Sequence, residues 1–251
     1  MKGSALFRRC LIPAAAMLLW WGGSAAKMWN SYILPSPEQV WNAFAELWRT
    51  GELAVDTWAS VRRVLRGFSC SFTLAFVLGA LSARSKRGEF YGHVVEFLRH
   101  VPPLSLVPLL ILWFGIGERS KTVLIVLASF FPVYMSVYKG FHGTDKKLVE
   151  VGRTLGLSRR ELFWRIEFPC AVPDVLSGLR IGLGYSWRAI ISAEMIAAAS
   201  GLGCLILDAQ QMSRSDRVMA GIFVIGAIGW LSDAAAAALI GRVVPGGRKN
   251  G

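Results

Sequence analysis

The sequence predicts an all-α, polytopic membrane protein with about six transmembrane helices in a single domain covering 1–251. Of the 251 residues, 54% are hydrophobic and only 18% are charged, whereas a soluble domain carries about a quarter charged residues. The formal net charge is +12, and the basic residues lie between apolar runs instead of on one face. This pattern is typical of loops beside a membrane and argues against nucleic-acid binding.

Six apolar segments approach the length of roughly 20 residues that a membrane helix needs. In chain order, the predicted spans are about 11–29, 67–83, 101–117, 122–139, 175–197 and 218–240. Prolines are expected to kink the third and fourth spans. Such kinks are tolerated where neighbouring helices or water satisfy the freed backbone groups, which favours a packed bundle. The prolines are Pro102, Pro103, Pro108 and Pro132.

The N-terminal segment resembles a cleavable signal peptide, because Lys2, Arg8 and Arg9 precede its apolar run and small residues follow it. The apolar character extends through Trp29, which is long enough to span a membrane. Since the rest of the chain needs membrane insertion as well, we favour an uncleaved first helix over a cleaved signal.

Between the first two spans, 36–49 predicts a short amphipathic helix. Ser36 can cap it, and Pro37 suits its first helical position. Apolar residues recur in it at helical spacing. We expect this helix to lie at the membrane surface or against the bundle.

The distribution of Lys and Arg predicts the orientation. With the N-terminus inside, the inner segments hold about twice as many Lys and Arg residues as the outer ones. Both termini and the segment 140–172 are therefore predicted to be cytoplasmic. Arg62, Arg63 and Arg66 form an outer basic cluster that runs against this rule.

The segment 150–169, EVGRTLGLSRRELFWRIEFP, is too charged to lie in hydrocarbon. Before its glycine, Leu148, Val151 and Leu155 share one helix face. Gly156 is expected to end this first arm, as glycine does at a helix C-terminus.

A second arm is predicted to start at Ser158-Arg159-Arg160-Glu161, which has the form of a capping box. Glu161 and Arg165 can pair one turn apart, and Pro169 is expected to end this arm. A helix–glycine–helix elbow of this kind suits docking in a groove of another protein. The alternative is a surface element that rests on its own bundle.

The spacing of Glu150, Gly156, Ile166 and Pro169 resembles the EAA loop of ABC importer permeases, in which E-A-A is followed by glycine and I-x-L-P. Val151-Gly152 replaces the two alanines and Phe168 replaces the leucine. Gly152 is expected to weaken the first arm by about 1 kcal/mol relative to alanine.

Further segments are similar to nitrate/sulfonate/taurine-type permeases, in that family's order along the chain. They are ILPSPEQVWNAF (33–44), SVRRVLRGF (60–68), PPLSLVPLLILWFGIGERSK (102–121) and WRAIISAEMIAAASGLG (187–203). The resemblance implies a type I ABC importer permease with a methionine-importer-like fold.

The resemblance also implies the partners and the location. Two permease copies, a homodimer in the simplest case, would form the pathway in a bacterial cytoplasmic (inner) membrane. A cytoplasmic ABC ATPase would bind ATP and Mg and dock on the elbow, and a periplasmic or extracellular binding protein would deliver the solute. The implied coupling residues are Glu150, Gly152, Gly156, Leu157, Ser158, Arg159, Arg160, Ile166 and Pro169.

Three ionisable residues fall within the fifth span: Arg180, Arg188 and Glu194. Buried charges in a span mark functional sites by default, so Arg188 and Glu194 are candidate pathway residues. Arg188 could attract an anionic solute. The alternatives are structural pairing for Arg188, and snorkelling to the interfaces for Arg180 and Glu194.

No catalytic or metal-binding constellation is apparent. The sequence has no phosphate-binding G-x-x-x-x-G-K-[ST] motif and no zinc-ligand spacing, and its four cysteines form no CxxC pair. We therefore expect a non-enzymatic chain that binds no cofactor or metal. The cargo stays open between small anions and a pyrimidine vitamin precursor, and an ion-coupled carrier is a further alternative.

Overall fold

The computed structural model describes residues 2–85, 87–197 and 199–243, and in these ranges the regular structure is helical throughout. A 3₁₀ turn, Pro103–Leu106, and a π turn, Phe163–Glu167, join some of the α-helices. The α-helices are α1 Lys2–Ala25, α2 Pro37–Arg49, α3 Glu52–Arg84, α4 Gly88–Leu98, α5 Val107–Phe114, α6 Glu118–His142, α7 Lys146–Thr154, α8 Arg159–Leu162, α9 Phe168–Ala197, α10 Leu202–Gln211 and α11 Ser215–Val243.

The centre of the bundle is α6, which packs most extensively against α3 and α9. Glycines permit the close approach: a Cβ added at Gly178 would lie 2.5 Å from the Cβ of Ser136, and one at Gly182 would lie 2.5 Å from a methyl group of Val133. The small-residue pair on α9 therefore serves packing within the chain.

Within the described ranges, three single helices are long and apolar enough to cross a membrane: α3, α6 and α11. The predicted span 67–83 is only the second half of α3, which begins at Glu52. In the most apolar window of α11 only 6% of residues are buried, against 50% in α6. We infer that α11 lies at the periphery and that α6 lies in the core.

The third predicted span, 101–117, contains only the 3₁₀ turn Pro103–Leu106 and α5, and a sharp bend separates them from α4. Phe90–Leu98 and Pro103–Phe114 meet at an angle of 72°. The adjacent Pro102 and Pro103 explain the break, because neither has a backbone N–H and the residue before a proline is pushed out of the helical region. By contrast, Pro132 lies inside the continuous helix α6.

The first and fifth predicted spans also differ from expectation. In α1 the apolar part of the described side chains is Leu11–Ala25, and the helix ends before Lys27, whose φ is +54°. The span 175–197 is part of the longer α9, which is too polar to pass as a single spanning helix by composition. The figure of six spans thus stays a prediction.

The helix predicted for 36–49 is confirmed as α2, Pro37–Arg49. Ser36 and Gln39 form a capping box at its start. Glu46 joins it to the start of α11 through Arg214 at 2.9 Å and Arg217 at 2.7 Å. Hydrogen bonds from these guanidinium groups, Arg217 first, lower the pKa of Glu46.

Candidate functional site

The first arm of the elbow is α7, and it ends as the sequence predicts. Gly156 has φ +78°, the left-handed conformation that glycine adopts without strain. The N–H of Gly156 donates to the Arg153 carbonyl at 2.9 Å, and that of Leu157 to the Gly152 carbonyl at 3.1 Å. These two bonds form a Schellman motif, which fixes the turn between the arms.

The second arm starts at the predicted capping box. The N–H of Ser158 donates to Glu161 Oε2 at 3.0 Å, and its Oγ accepts from the Glu161 N–H at 3.3 Å. The bonds that the Ser158 N–H and, at 2.9 Å, its hydroxyl donate to the Glu161 carboxylate lower the pKa of Glu161. The predicted pair of Glu161 with Arg165 is present at 3.6 Å, and Arg159 and Arg160 lie exposed in the first turn of α8.

The prediction that Pro169 ends the second arm is wrong. After α8 the chain makes the π turn, and the N–H of Phe168 donates to the Phe163 carbonyl five residues back. Such a wider turn relieves the clash that a proline ring makes with the preceding turn. Pro169 consequently lies near the start of α9, and the elbow runs into that helix.

Gly152 is buried where the two arms meet. A Cβ there would lie 2.6 Å from Leu162 Cδ2 and 2.7 Å from Ile166 Cδ1. The absent methyl group makes room for these two side chains, and Leu162 is 5% exposed. The glycine thus permits close packing of the arms. This packing offsets the cost in helix propensity that the sequence predicts.

The apolar face of α7 is not covered by the bundle. The side chains of Leu148, Val151 and Leu155 are 49%, 57% and 75% exposed, and Trp164 on the second arm is 56% exposed. Glu150 is also exposed. An exposed apolar patch rimmed by charges is typical of an interaction surface. The structure therefore favours docking over an elbow that rests on its own bundle.

Gly156 supplies a test of the elbow that leaves its contacts intact, because a Cβ there would meet nothing within 4 Å. Gly156→Val is expected to cost about 1–3 kcal/mol through backbone strain alone. By hydrogen exchange, amides at 152–158 should exchange roughly 5- to 150-fold faster.

Gly156→Asn is the matched control, since asparagine tolerates the left-handed region, and it should exchange like the parent protein. Equal exchange in the valine and asparagine variants would contradict a turn that is fixed by φ at this position.

Of the two candidate pathway residues, Arg188 lies at an exposed position of α9. Its guanidinium carbon is 5.5 Å from the centroid of the Tyr185 ring, which is itself 45% exposed. Its neighbours Trp187, Ala189 and Ile190 are buried in the core. Arg188 therefore points away from the packed interior of this chain.

Glu194 is fully buried and has a different environment. Arg63 Nη1 donates to Glu194 Oε1 at 2.7 Å, and Ser60 Oγ lies 2.8 Å from Oε2. The Gly203 N–H donates to Oε2 at 3.1 Å. With both carboxylate oxygens engaged inside the protein, the structure favours a structural role for Glu194 over contact with a solute.

The same cluster holds the connection between α9 and α10. Arg63 donates to the Ser200 carbonyl at 2.7 Å, the Gly201 N–H donates to Asp56 at 2.8 Å, and the Leu202 N–H donates to Ser60 Oγ at 3.0 Å. On its other side Arg63 binds Glu118 with Nε at 2.8 Å. We call Ser60, Arg63 and Glu194 the buried charge cluster, and Glu118, whose side chain is 52% exposed, lies at its edge.

Sequence reasoning missed the buried charge cluster, although one signal was present. Arg63 belongs to the outer basic cluster that runs against the positive-inside rule. Its burial as an ion pair accounts for Arg63, whereas Arg62 and Arg66 are exposed. The sequence also does not reveal the partner of Arg180, which forms a two-pronged ion pair with Asp233 of α11, with both bonds at 2.6 Å.

The long apolar helices and the exposed elbow together indicate a helical membrane protein that docks on a partner. Among the described residues no group of His, Cys, Asp or Glu is arranged to hold a metal ion.

Comparison with known proteins gives the particular family. Residues 71–245 match the model of the binding-protein-dependent transport system inner membrane component family, and the chain belongs to that family.

Individual relatives are similar to this chain over most of its length. An Escherichia coli protein named as an aliphatic sulfonates transport permease, SsuC, is 38% identical over 90% of this chain and 86% of its own length. The taurine transport system permease protein TauC of the same organism is 34% identical over 92% and 86%. The nitrate import permease protein NrtB of Synechocystis is 33% identical over 86% and 82%.

Solved structures show the same fold. An inward-facing MetNI methionine ABC transporter chain superposes with a TM-score of 0.61 at 16% identity, covering 74% of this chain and 97% of that one. The type I importer permease fold is thereby confirmed. This chain is an ABC transporter permease, a transport component and not an enzyme.

Proposed function

We propose that this chain is the transmembrane permease subunit of an ATP-driven, binding-protein-dependent importer for a small anionic solute of the nitrate, sulfonate or taurine class. The observation that carries the proposal is the elbow: a rigid, capped turn whose apolar face is exposed and whose second arm continues into α9. The names of the relatives support the class of solute.

In this proposal the elbow docks on a cytoplasmic ATPase subunit, which alone binds ATP and Mg. Glu150, Gly156 and the tip 157–160 form the docking element, and Gly152 and Ile166 hold its arms together. Because the π turn joins the second arm to α9 without a flexible linker, movement of a docked elbow would be transmitted to that helix. ATP binding and transport would then be coupled, because the docked elbow makes different contacts in the two conformations of the transporter.

Two copies of the chain would form the pathway, with both termini in the cytoplasm and a binding protein on the opposite side. Arg188 is the proposed pathway residue. A cation within a span is costly against lipid, and this one faces away from the core of its own chain. It therefore faces either water or the second copy, where it can attract an anion.

The proposed class of solute is tested by uptake into vesicles that contain the assembled importer, its binding protein and internal ATP. Labelled taurine, an alkanesulfonate and nitrate are supplied in turn, with a pyrimidine as the uncharged comparison. Saturable uptake of nitrate or of a compound that carries a sulfonate group supports the proposal. Uptake of the pyrimidine alone would contradict the anionic class.

Arg188→Ala is expected to lower the uptake of the anion about tenfold or more, because a charge-assisted contact contributes roughly 1.5–3 kcal/mol. Co-purification with the ATPase should persist, since Arg188 is remote in sequence from the elbow. Arg188→Lys retains the charge and should recover part of the uptake. Unchanged uptake in the alanine variant would remove Arg188 from the pathway.

A further inference from the structure

A second surface of the elbow faces the bundle and forms a basic groove. It encloses about 740 Å³ between the elbow and the ends of α3 and α6, a volume in the range of small-molecule sites. Its charged lining consists of four cations and a single carboxylate: Arg84, Lys146, Arg153, Arg159 and Glu167.

The one carboxylate is already engaged. Glu167 pairs with Arg84 at 3.2 Å, and the Arg84 guanidinium lies 5.0 Å from the centroid of the Phe163 ring. Across the described ranges, Lys146, Arg153 and Arg159 make no ion pair with an acidic side chain. The groove therefore concentrates uncompensated positive charge, with His142 stacked on Tyr138 at its edge.

The groove meets the proposed docking element only at the tip, where Leu157 and Arg159 line it. On α7 it is distinct from the apolar docking face. Lys146, Val149 and Arg153 of α7 line it, whereas Leu148, Val151 and Leu155 form the exposed apolar face. The two sets are offset by two residues, which is about 200° around an α-helix. An ATPase bound to the apolar face would consequently leave the basic side of α7 turned toward the membrane.

The depth of the groove favours a lipid. Arg84 is the last residue of α3 and His142 the last of α6, and both helices are long and apolar enough to span. The groove thus lies where hydrocarbon gives way to headgroups. Basic pockets between helix ends on the cytoplasmic side are suited to anionic phospholipid headgroups.

We infer that this groove binds the phosphate headgroup of an anionic phospholipid of the cytoplasmic leaflet, with Lys146 and Arg153 as its principal ligands. The inference rests on the proposed function only for the orientation of the chain. Because one side of α7 holds the lipid and the other the ATPase, the bound headgroup would brace the elbow against the bundle during docking.

The test compares lipid retention by the purified permease, alone and assembled with its ATPase, using native mass spectrometry. The probes are phosphatidylglycerol and, as the net-neutral comparison, phosphatidylcholine. The parent protein should retain phosphatidylglycerol selectively in both states. The double variant Lys146→Gln/Arg153→Gln should lose about tenfold or more of that retention, since each cation near a membrane surface contributes roughly 1 kcal/mol.

Lys147→Gln is the control for Lys146→Gln, tested singly beside the double variant, because it removes one positive charge from the adjacent residue, which does not line the groove. Arg153→Lys preserves the charge and should retain the lipid, so that lost binding in the double variant is separated from misfolding. Retention by the double variant equal to that of Lys147→Gln would overturn the inference.

Two further outcomes would also overturn it. Displacement of phosphatidylglycerol by millimolar inorganic phosphate would mean that the groove takes a soluble phosphate and not a lipid. Retention only after removal of the ATPase would mean that an acidic segment of that subunit occupies the groove. A failure of the proposed function would give a different result. In that case no ATPase would co-purify with the parent protein, while its lipid retention could still be measured.

Discussion

Arg63→Leu is expected to destabilise the fold by about 3–5 kcal/mol, because removing one partner of a buried ion pair leaves the other charge uncompensated. Glu194 is 0% exposed and Arg63 6% exposed, so water cannot replace the lost guanidinium. The loss extends beyond the pair, since Arg63 also binds the Ser200 carbonyl and Glu118. The apparent melting temperature of the purified permease should fall by several degrees or more.

Arg62→Leu provides the control for this prediction. Arg62 is the neighbouring residue on α3 and is exposed, so its replacement changes the net charge equally without touching the buried charge cluster. It should leave the melting temperature almost unchanged. Equal melting temperatures of the two variants would mean that the buried charge cluster does not stabilise the fold.

The double variant Val151→Asp/Leu155→Asp is expected to abolish co-purification of the ATPase. Each carboxylate would have to be desolvated in an apolar interface, which costs several kcal/mol, and about 3 kcal/mol already weakens binding more than a hundredfold. Both side chains are more than half exposed, so the fold of the permease itself should survive. Pull-down of the ATPase on the tagged permease measures the effect.

Thr154→Asp is the control for the docking face. It adds a carboxylate to the same arm, on a position that lies about 90° away from the apolar face. The ATPase should still co-purify with this variant. Normal recovery of the ATPase with Val151→Asp/Leu155→Asp would show that the subunit binds elsewhere.

Local signals in the sequence predicted the local structure of the elbow correctly. The glycine stop at Gly156 and the capping box at Ser158 each depend on residues within a few positions, and both are present in the structure. Pro169 was misread because its effect depends on the preceding turn: the π turn accommodates a proline that would otherwise end the helix.

The buried charge cluster could not be read from periodicity, because Arg63 and Glu194 are 131 residues apart in the chain. Only a tertiary contact explains why a span contains a carboxylate. The resemblance offered an indirect indication, since two of its segments, 60–68 and 187–203, meet at this cluster. Gly152 likewise acquires its packing role from Leu162 and Ile166, which lie on the other arm.

Hydrophobicity likewise does not show where the chain bends near the third predicted span. Composition finds an apolar stretch at 101–117, but Pro102 and Pro103 decide that the chain bends there by 72°. For the long helix α3, the apolar pattern marks only the portion after Gly67. Near the start of that helix, Leu53 packs in one cluster with residues of α2 and α10, which no local pattern reveals.

We propose that ATP drives this permease through its elbow. The most direct measurement is uptake by vesicles containing the assembled importer and its binding protein, with either ATP or an ion gradient as the energy source. We predict uptake that requires internal ATP and is lost in the Val151→Asp/Leu155→Asp variant. Uptake driven by an ion gradient without ATP would contradict the account.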